Sequence, residues 1–137
     1  MLDYALTCEE QARRSGLAEN ARKMILSNMK VEAEDETSLT MDYRGYYMQV
    51  SFSPLHPLLV ICLAKAIRDP EMSRKRQLAN EFNLHSVLSS HAINDEVGCY
   101  SYRATHWLDV ELTPKRFFEI LNRCIDEADR GYQWLAA

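Results

Sequence analysis

The sequence predicts a single α+β domain in which helices pack against an antiparallel sheet. Apolar residues recur at helical spacing near both ends of the chain, and between these regions they alternate at the two-residue spacing of half-buried strands. The chain has 137 residues, of which 47% are hydrophobic and 26% are charged. A chain of this length buries roughly 70% of its unfolded surface, which is enough for one hydrophobic core. We therefore expect residues 1–137 to form one domain with the element order α-β-β-β-α-β-β-α.

A capping box predicts where the first helix begins. Thr7 and Glu10 have the spacing at which each side chain accepts a hydrogen bond from the other residue's backbone amide. We expect a helix from about residue 8 to residue 29, with Gly16 as a point where it would kink or divide. Its apolar stripe consists of Ala12, Leu17, Ala21, Met24, Ile25 and Met29.

Strand periodicity follows the first helix. The charged run Glu32–Glu36 lacks the ligand spacing of a calcium loop and is typical of a solvated hairpin tip. Arg44 and Gly45 supply a turn, after which the alternation resumes with the opposite parity. The alternating apolar residues are Val31, Ala33, Leu39, Met41 and Tyr43 before the turn, and Met48, Val50 and Phe52 after it.

The next segment, Leu58–Ala64, is apolar on both parities. Periodicity alone does not distinguish a strand covered on both faces from a buried helix. Pro54 and Pro57 prevent a helix from crossing them, and the β-branched pair Val60-Ile61 favours a strand. We predict that Leu58–Ala66 is the central strand of the sheet.

Two Asx/Thr-Pro pairs mark further helix starts. Asp69-Pro70 predicts a middle helix, and Thr113-Pro114 predicts a last helix that runs to about residue 130, where Gly131 would end it. Between them we expect a hairpin of two strands, one around Ser86–Ile93 and the other over Glu96–His106. The predicted sheet therefore has five strands.

Composition excludes some classes of function. The chain carries 16 basic and 20 acidic residues, so its net charge is −4, whereas a nucleic-acid-binding protein needs a basic face. The longest apolar run is too short to span a bilayer, and the amino terminus does not have the pattern of a secretory signal. The cysteines form no Cys-x-x-Cys pair and are interpreted as buried free thiols, which predicts a cytoplasmic location; they are Cys8, Cys62, Cys99 and Cys124.

No motif predicts a reaction. The histidines lack the close spacing of metal ligands, and a site assembled from His91, Cys99 and His106 across the last hairpin is the remaining alternative. Histidines near turns are more often solvated. No nucleophile elbow or glycine-rich phosphate loop occurs. We expect no catalytic residue, no cofactor and no metal, with a small-molecule- or metal-dependent enzyme as the alternative hypothesis.

Aromatic residues on the predicted strands are the candidates for contact with a partner. Tyrosine and tryptophan are enriched at protein interfaces because each combines a large apolar ring with a polar group. The alternative is that they pack beneath the helices. The candidates are Tyr46, Tyr47, Tyr100, Tyr102 and Trp107.

Two segments resemble a known family. Leu78–Asn83, followed by a hairpin and then Leu112–Phe118 with a terminal amphipathic helix, resembles the YbjN-like family of bacterial sensory transduction regulators. The order of elements is similar to the type III secretion chaperone-like fold to which that family belongs. The resemblance implies a non-enzymatic protein-binding module, chaperone-like or a regulatory adaptor, that holds a segment of a partner protein and carries no catalytic residues.

The sequence also predicts a homodimer. The resemblance implies one, because secretion chaperones of this fold are small acidic homodimers. The apolar residues on both parities of Leu58–Ala64 give an independent reason, since a monomer would expose one set of them. A two-fold contact between copies is the commonest way to cover such a face. The alternative is a monomer in which the first helix folds over that face.

Overall fold

The structure, a computed structural model, describes residues 7–53, 56–67, 89–94 and 98–136. In these ranges two helices, α1 (Cys8–Asn28) and α2 (Pro114–Ala136), accompany six strands. The strands are β1 (Ala33–Glu34), β2 (Ser38–Tyr43), β3 (Tyr46–Phe52), β4 (Leu58–Ala66), β5 (Ser89–Asn94) and β6 (Cys99–Trp107). They form one antiparallel sheet with the order β1-β2-β3-β4-β6-β5, which confirms the predicted fold class.

α1 begins after Thr7, whose hydroxyl oxygen accepts a hydrogen bond from the Glu10 amide at 3.1 Å, the first half of the predicted capping box. The Glu10 carboxylate accepts hydrogen bonds from Arg13 and Arg14. The helix continues unbroken past Gly16, so the glycine does not divide it. Ala21 and Ile25 are the fully buried residues of α1, so this helix contributes few side chains to the core.

Two tight turns shape the first half of the sheet. Arg44 and Gly45 both have positive φ angles, 49° and 85°, as the two central residues of a type I′ hairpin turn require. In the turn between β1 and β2, the Asp35 carboxylate accepts hydrogen bonds at 2.8 Å from the Thr37 and Ser38 amides, and these bonds lower its pKa. Residues 32–36 are all exposed, as a solvated hairpin tip requires.

β4 is the central strand, as predicted, with the bounds Leu58–Ala66. It pairs with β3 on one side and β6 on the other. Leu59, Ile61 and Leu63 are at most 1% exposed, whereas the alternate residues that face the other way have intermediate exposure. The segment is therefore apolar on both parities because both of its faces are at least partly covered.

Among the described residues the sheet has six strands instead of the predicted five, because Ala33–Glu34 pairs as a short separate strand with Thr40 and Leu39. The predicted middle helix from Asp69-Pro70 lies outside the described residues. The strand expected around Ser86–Ile93 is described over Ser89–Asn94.

Gly131 does not end the last helix, which continues to Ala136. The prediction was wrong because it considered only the low helix propensity of glycine. A Cβ at this position would lie 2.5 Å from atoms of His91 and Tyr100, so the glycine allows the helix to pass close to the sheet.

The hydrophobic core lies between one face of the sheet and the two described helices. We call this the inner face. Its strand residues are joined in one buried cluster by Ile25 of α1 and by Phe117, Leu121 and Ala128 of α2. The opposite side, which we call the outer face, carries the alternate strand residues. No helix within the described ranges is both long and apolar enough to cross a membrane.

Candidate functional site

The outer face presents two exposed aromatic side chains at diagonal corners. Tyr47 on β3 lies opposite Ala64 of β4, and Trp107 on β6 lies opposite Leu58 of β4. Tyr47 is 53% exposed and Trp107 is 73% exposed. Because Leu58 and Ala64 are six residues apart on one strand, the two corners are separated by about 20 Å along it.

Small and apolar residues fill the space between these corners. Along β4 the outward residues Leu58, Val60, Cys62 and Ala64 all have intermediate exposure. Among the outward residues of the described strands, the charged ones are Asp42 on β2 and Arg103 on β6. Low charge and exposed aromatic side chains are both features that are enriched at protein interfaces.

The other three candidate aromatics lie inside the molecule. Tyr46, Tyr100 and Tyr102 are at most 2% exposed and belong to the inner-face cluster. In this conformation they do not reach a partner, so the alternative reading, packing beneath a helix, describes their placement. Period-two parity separates them from Tyr47 and Trp107, but the sequence does not show which parity faces the helices.

Polar groups of α2 meet the phenol groups of the inner face. The Tyr46 hydroxyl donates to Asp129 at 2.6 Å, and the Tyr102 hydroxyl donates to Glu127 at 2.7 Å. Burial, assisted by these carboxylates, raises the pKa of both phenols, so they remain neutral donors. Sequence reasoning missed this network, although buried tyrosines regularly need a hydrogen-bond partner.

Lys65 closes the same network from β4. Its ammonium nitrogen lies 5.0 Å from the Tyr46 ring centroid and 4.4 Å from the Tyr132 ring centroid. The Tyr132 hydroxyl donates to the Ala66 carbonyl at 3.0 Å. These contacts join the end of β4 to the last turns of α2, and we interpret their role as structural.

The two described hairpin histidines are not solvated, contrary to expectation. His91 is 3% exposed, and His106 has a buried Nε2 atom with no hydrogen-bond partner. Both face inward, whereas Cys99 has the outward parity of β6, so the three residues do not converge on a metal. No group of three or more potential metal ligands occurs among the described residues.

The thiols of Cys62 and Cys124 do not have the environment of a nucleophile. Burial raises the pKa of the Cys124 thiol to about 11 and also raises that of Cys62. A thiol is reactive as the thiolate, which both sites disfavour at neutral pH. Cys124 is buried as expected, whereas Cys62 and Cys99 are only partly buried and Cys8 is exposed.

A groove of about 180 Å³ lies between α1 and the ends of β2 and β3. Two partly buried arginines line it, but Arg14 is bonded to Glu10 and Arg22 to Glu34. Both arginines are therefore already paired within the chain, and we do not assign the groove a function.

Comparisons with solved structures identify the fold. A chain of the HopA1–SchA chaperone–effector complex aligns with a TM-score of 0.59 and 11% identity, over 96% of this chain and all of that one. YbjN from E. coli aligns with a TM-score of 0.62 and 9% identity, over 82% of this chain and 86% of that one. A chain of the complex of the Yersinia pestis type III secretion chaperone SycH with a fragment of YscM2 aligns with a TM-score of 0.56 and 12% identity, over 85% of this chain and 98% of that one.

The protein therefore has the type III secretion chaperone-like fold that YbjN shares, as the resemblance implied. No protein-family model matches the sequence, and no curated protein matches it.

Proposed function

We propose that this protein binds a segment of a partner protein in the cytoplasm, as a chaperone-like or regulatory adaptor, and catalyses no reaction. The fold supports this, because one structural neighbour is a chain of a chaperone–effector complex and another is a chain of a complex between a type III secretion chaperone and a protein fragment. The single observation that carries it on this chain is the pair of exposed aromatics, Tyr47 and Trp107, on the outer face.

Physical chemistry supports this surface as the contact. Burying an aromatic ring that is more than half exposed removes a large apolar area from water, and such rings often dominate binding energy. The two rings stand at opposite corners of the face, so a partner segment can bury either ring without lying on the strip between them.

Alanine substitution tests the surface. In capture from a lysate of the source cells, Trp107→Ala and Tyr47→Ala should each weaken retention of the partner about tenfold or more, as expected when an interface anchor is lost. Trp134→Ala is the matched control, because Trp134 is 67% exposed and lies on α2, which packs against the inner face. Equal retention by all three variants, or loss with Trp134→Ala alone, contradicts the proposal.

A homodimer belongs to the same proposal. The half-buried outward residues of β4, Val60, Cys62 and Ala64, form an apolar strip that a second copy would cover by a two-fold contact. Pairing through this strip leaves Tyr47 and Trp107 at the margins for the partner. Light scattering at micromolar concentration should give twice the chain mass of 15.9 kDa. A mass near that of one chain, unchanged on concentration, contradicts the dimer.

A further inference from the structure

A buried histidine joins the edge of the sheet to the last helix. His91 lies on β5, which is the edge strand of the described sheet and pairs with β6. Its Nδ1 atom is 2.5 Å from the Tyr100 hydroxyl oxygen, and the two residues are 3% and 0% exposed. The Gly131 backbone closes the site from α2, because a Cβ there would lie 2.5 Å from both of these atoms.

The placement of protons in this contact decides its response to acid. A neutral imidazole can accept the Tyr100 hydroxyl hydrogen at Nδ1, whereas a protonated ring carries hydrogens on both nitrogens and accepts none. The hydroxyl hydrogen would then need another acceptor in a place that Gly131 keeps too tight for water. An unsatisfied buried donor is destabilising.

We propose that the His91–Tyr100 contact is an acid-sensitive latch that holds the edge strand β5 against α2 at neutral pH and loosens when His91 is protonated. This device is independent of the proposed partner-binding function. It would make the last helix and the β5–β6 hairpin separate before the rest of the sheet as the pH falls.

Charged groups of α2 and β4 lie around the latch. From α2, Glu127 attracts it, but this carboxylate already accepts the Tyr102 hydroxyl at 2.7 Å. Asp129 accepts the Tyr46 hydroxyl and influences Tyr100.

From β4, the Lys65 ammonium lies over the rings of Tyr46 and Tyr132, and it adds a positive charge to the inner face of the sheet. The Tyr132 ring in turn contacts the Tyr100 ring, with centroids 5.8 Å apart. The Tyr102 ring from β6 meets the imidazole edge-on, with centroids 5.3 Å apart.

The direction of the pKa shift agrees with this geometry. Burial lowers the pKa of His91 below its ordinary value of 6.5, despite the opposing attraction of Glu127. A histidine whose pKa is lowered by folding contributes stability that is present above about pH 6.5 and is lost as the pH falls toward the folded-state pKa. The latch therefore acts on the acid side of neutrality.

Variants at two histidines test the latch. Between about pH 7.5 and about pH 5.5, one such histidine lowers the folding equilibrium constant by up to about tenfold. His91→Gln keeps a hydrogen-bond acceptor for Tyr100 but does not titrate. The fall in its folding equilibrium constant over this interval should therefore be smaller than that of the wild type by this factor. His56→Gln replaces an exposed histidine outside the latch and is the control for the substitution itself.

Hydrogen exchange and NMR complete the test. In the wild type, the β5 amides should lose protection in this interval before the amides of β3 do. His91→Gln with the same pH profile as the wild type overturns the proposal. If that variant does not fold, titration of the His91 ring resonances in the wild type decides, since a pKa at or above 6.5 also overturns it.

Discussion

Gly131 on α2 packs directly against the imidazole of His91 on β5, so closely that a Cβ on the glycine would stand 2.5 Å from His91 Nδ1. The glycine lies five residues before the end of a helix that continues to Ala136. Its function in the fold is therefore to set the distance between the last helix and the last hairpin.

Gly131→Ala should lower the free energy of unfolding by about 1–3 kcal/mol, because the added methyl group overpacks a rigid contact. Helix propensity alone predicts the opposite, a gain of about 0.5–1 kcal/mol. Gly16→Ala is the matched control, since Gly16 is also helical and a Cβ there meets nothing within 4 Å. Urea unfolding measures both, and a gain in stability for both variants would show that the close packing is absent.

Tyr46→Phe should destabilise the protein by about 1–2 kcal/mol, because it removes a hydrogen bond to the Asp129 carboxylate. Tyr47→Phe, at the adjacent position on the opposite face, should change stability by less than about 0.5 kcal/mol. Chemical denaturation of both variants compares two neighbouring residues that lie on opposite faces of β3. Equal effects would contradict the assignment of Tyr46 to the inner face.

Reaction with a thiol reagent should distinguish the cysteines. Cys8 is exposed and should be labelled in the fast phase, which Cys8→Ser should remove. Cys124 is 2% exposed, and its pKa is raised to about 11 from 9.0, which lowers its thiolate fraction about a hundredfold. Cys124 should react last, at the rate of unfolding, and rapid labelling of Cys124 in the native protein would contradict its burial beneath Tyr102.

Much of the fold could be predicted from the sequence because local patterns agree with the final structure. The capping box placed the start of α1, and the alternation of apolar residues placed β2 and β3. Leu58–Ala66 was predicted as the central strand with its observed bounds, since proline and β-branched residues resolved an ambiguous periodicity. Local patterns were sufficient to place individual helices and strands.

The inner-face contacts could not be predicted, because they depend on tertiary packing. Parity placed Tyr46 and Tyr47 on opposite faces but did not show that the helices cover the Tyr46 side. Likewise, the role of Gly131 depends on two residues of a hairpin more than 30 positions earlier in the chain, as the contact with Tyr100 and His91 shows. A close contact between residues that are far apart in the chain affects neither helix propensity nor the periodicity of apolar residues, so local sequence patterns do not reveal it.

Val60→Lys should convert a dimer to a monomer without unfolding it, because it places a charge at the centre of the outward strip of β4. Circular dichroism should remain that of the wild type, while light scattering should report one chain mass. Asn122→Lys, at an exposed position of α2, is the control and should remain dimeric. A Val60→Lys protein that stays dimeric would place the contact between copies elsewhere.

Site-specific photo-crosslinking tests the central proposal most directly. A benzophenone amino acid at position 47 or 107 would stand on the outer face, and the same amino acid at position 134 would stand on α2 at a similar exposure. Irradiation in the source cells, followed by mass spectrometry, should give adducts with one partner protein from positions 47 and 107 and none from position 134. Adducts from position 134 alone, or none from either outer-face position, would contradict the proposal that this face binds a partner.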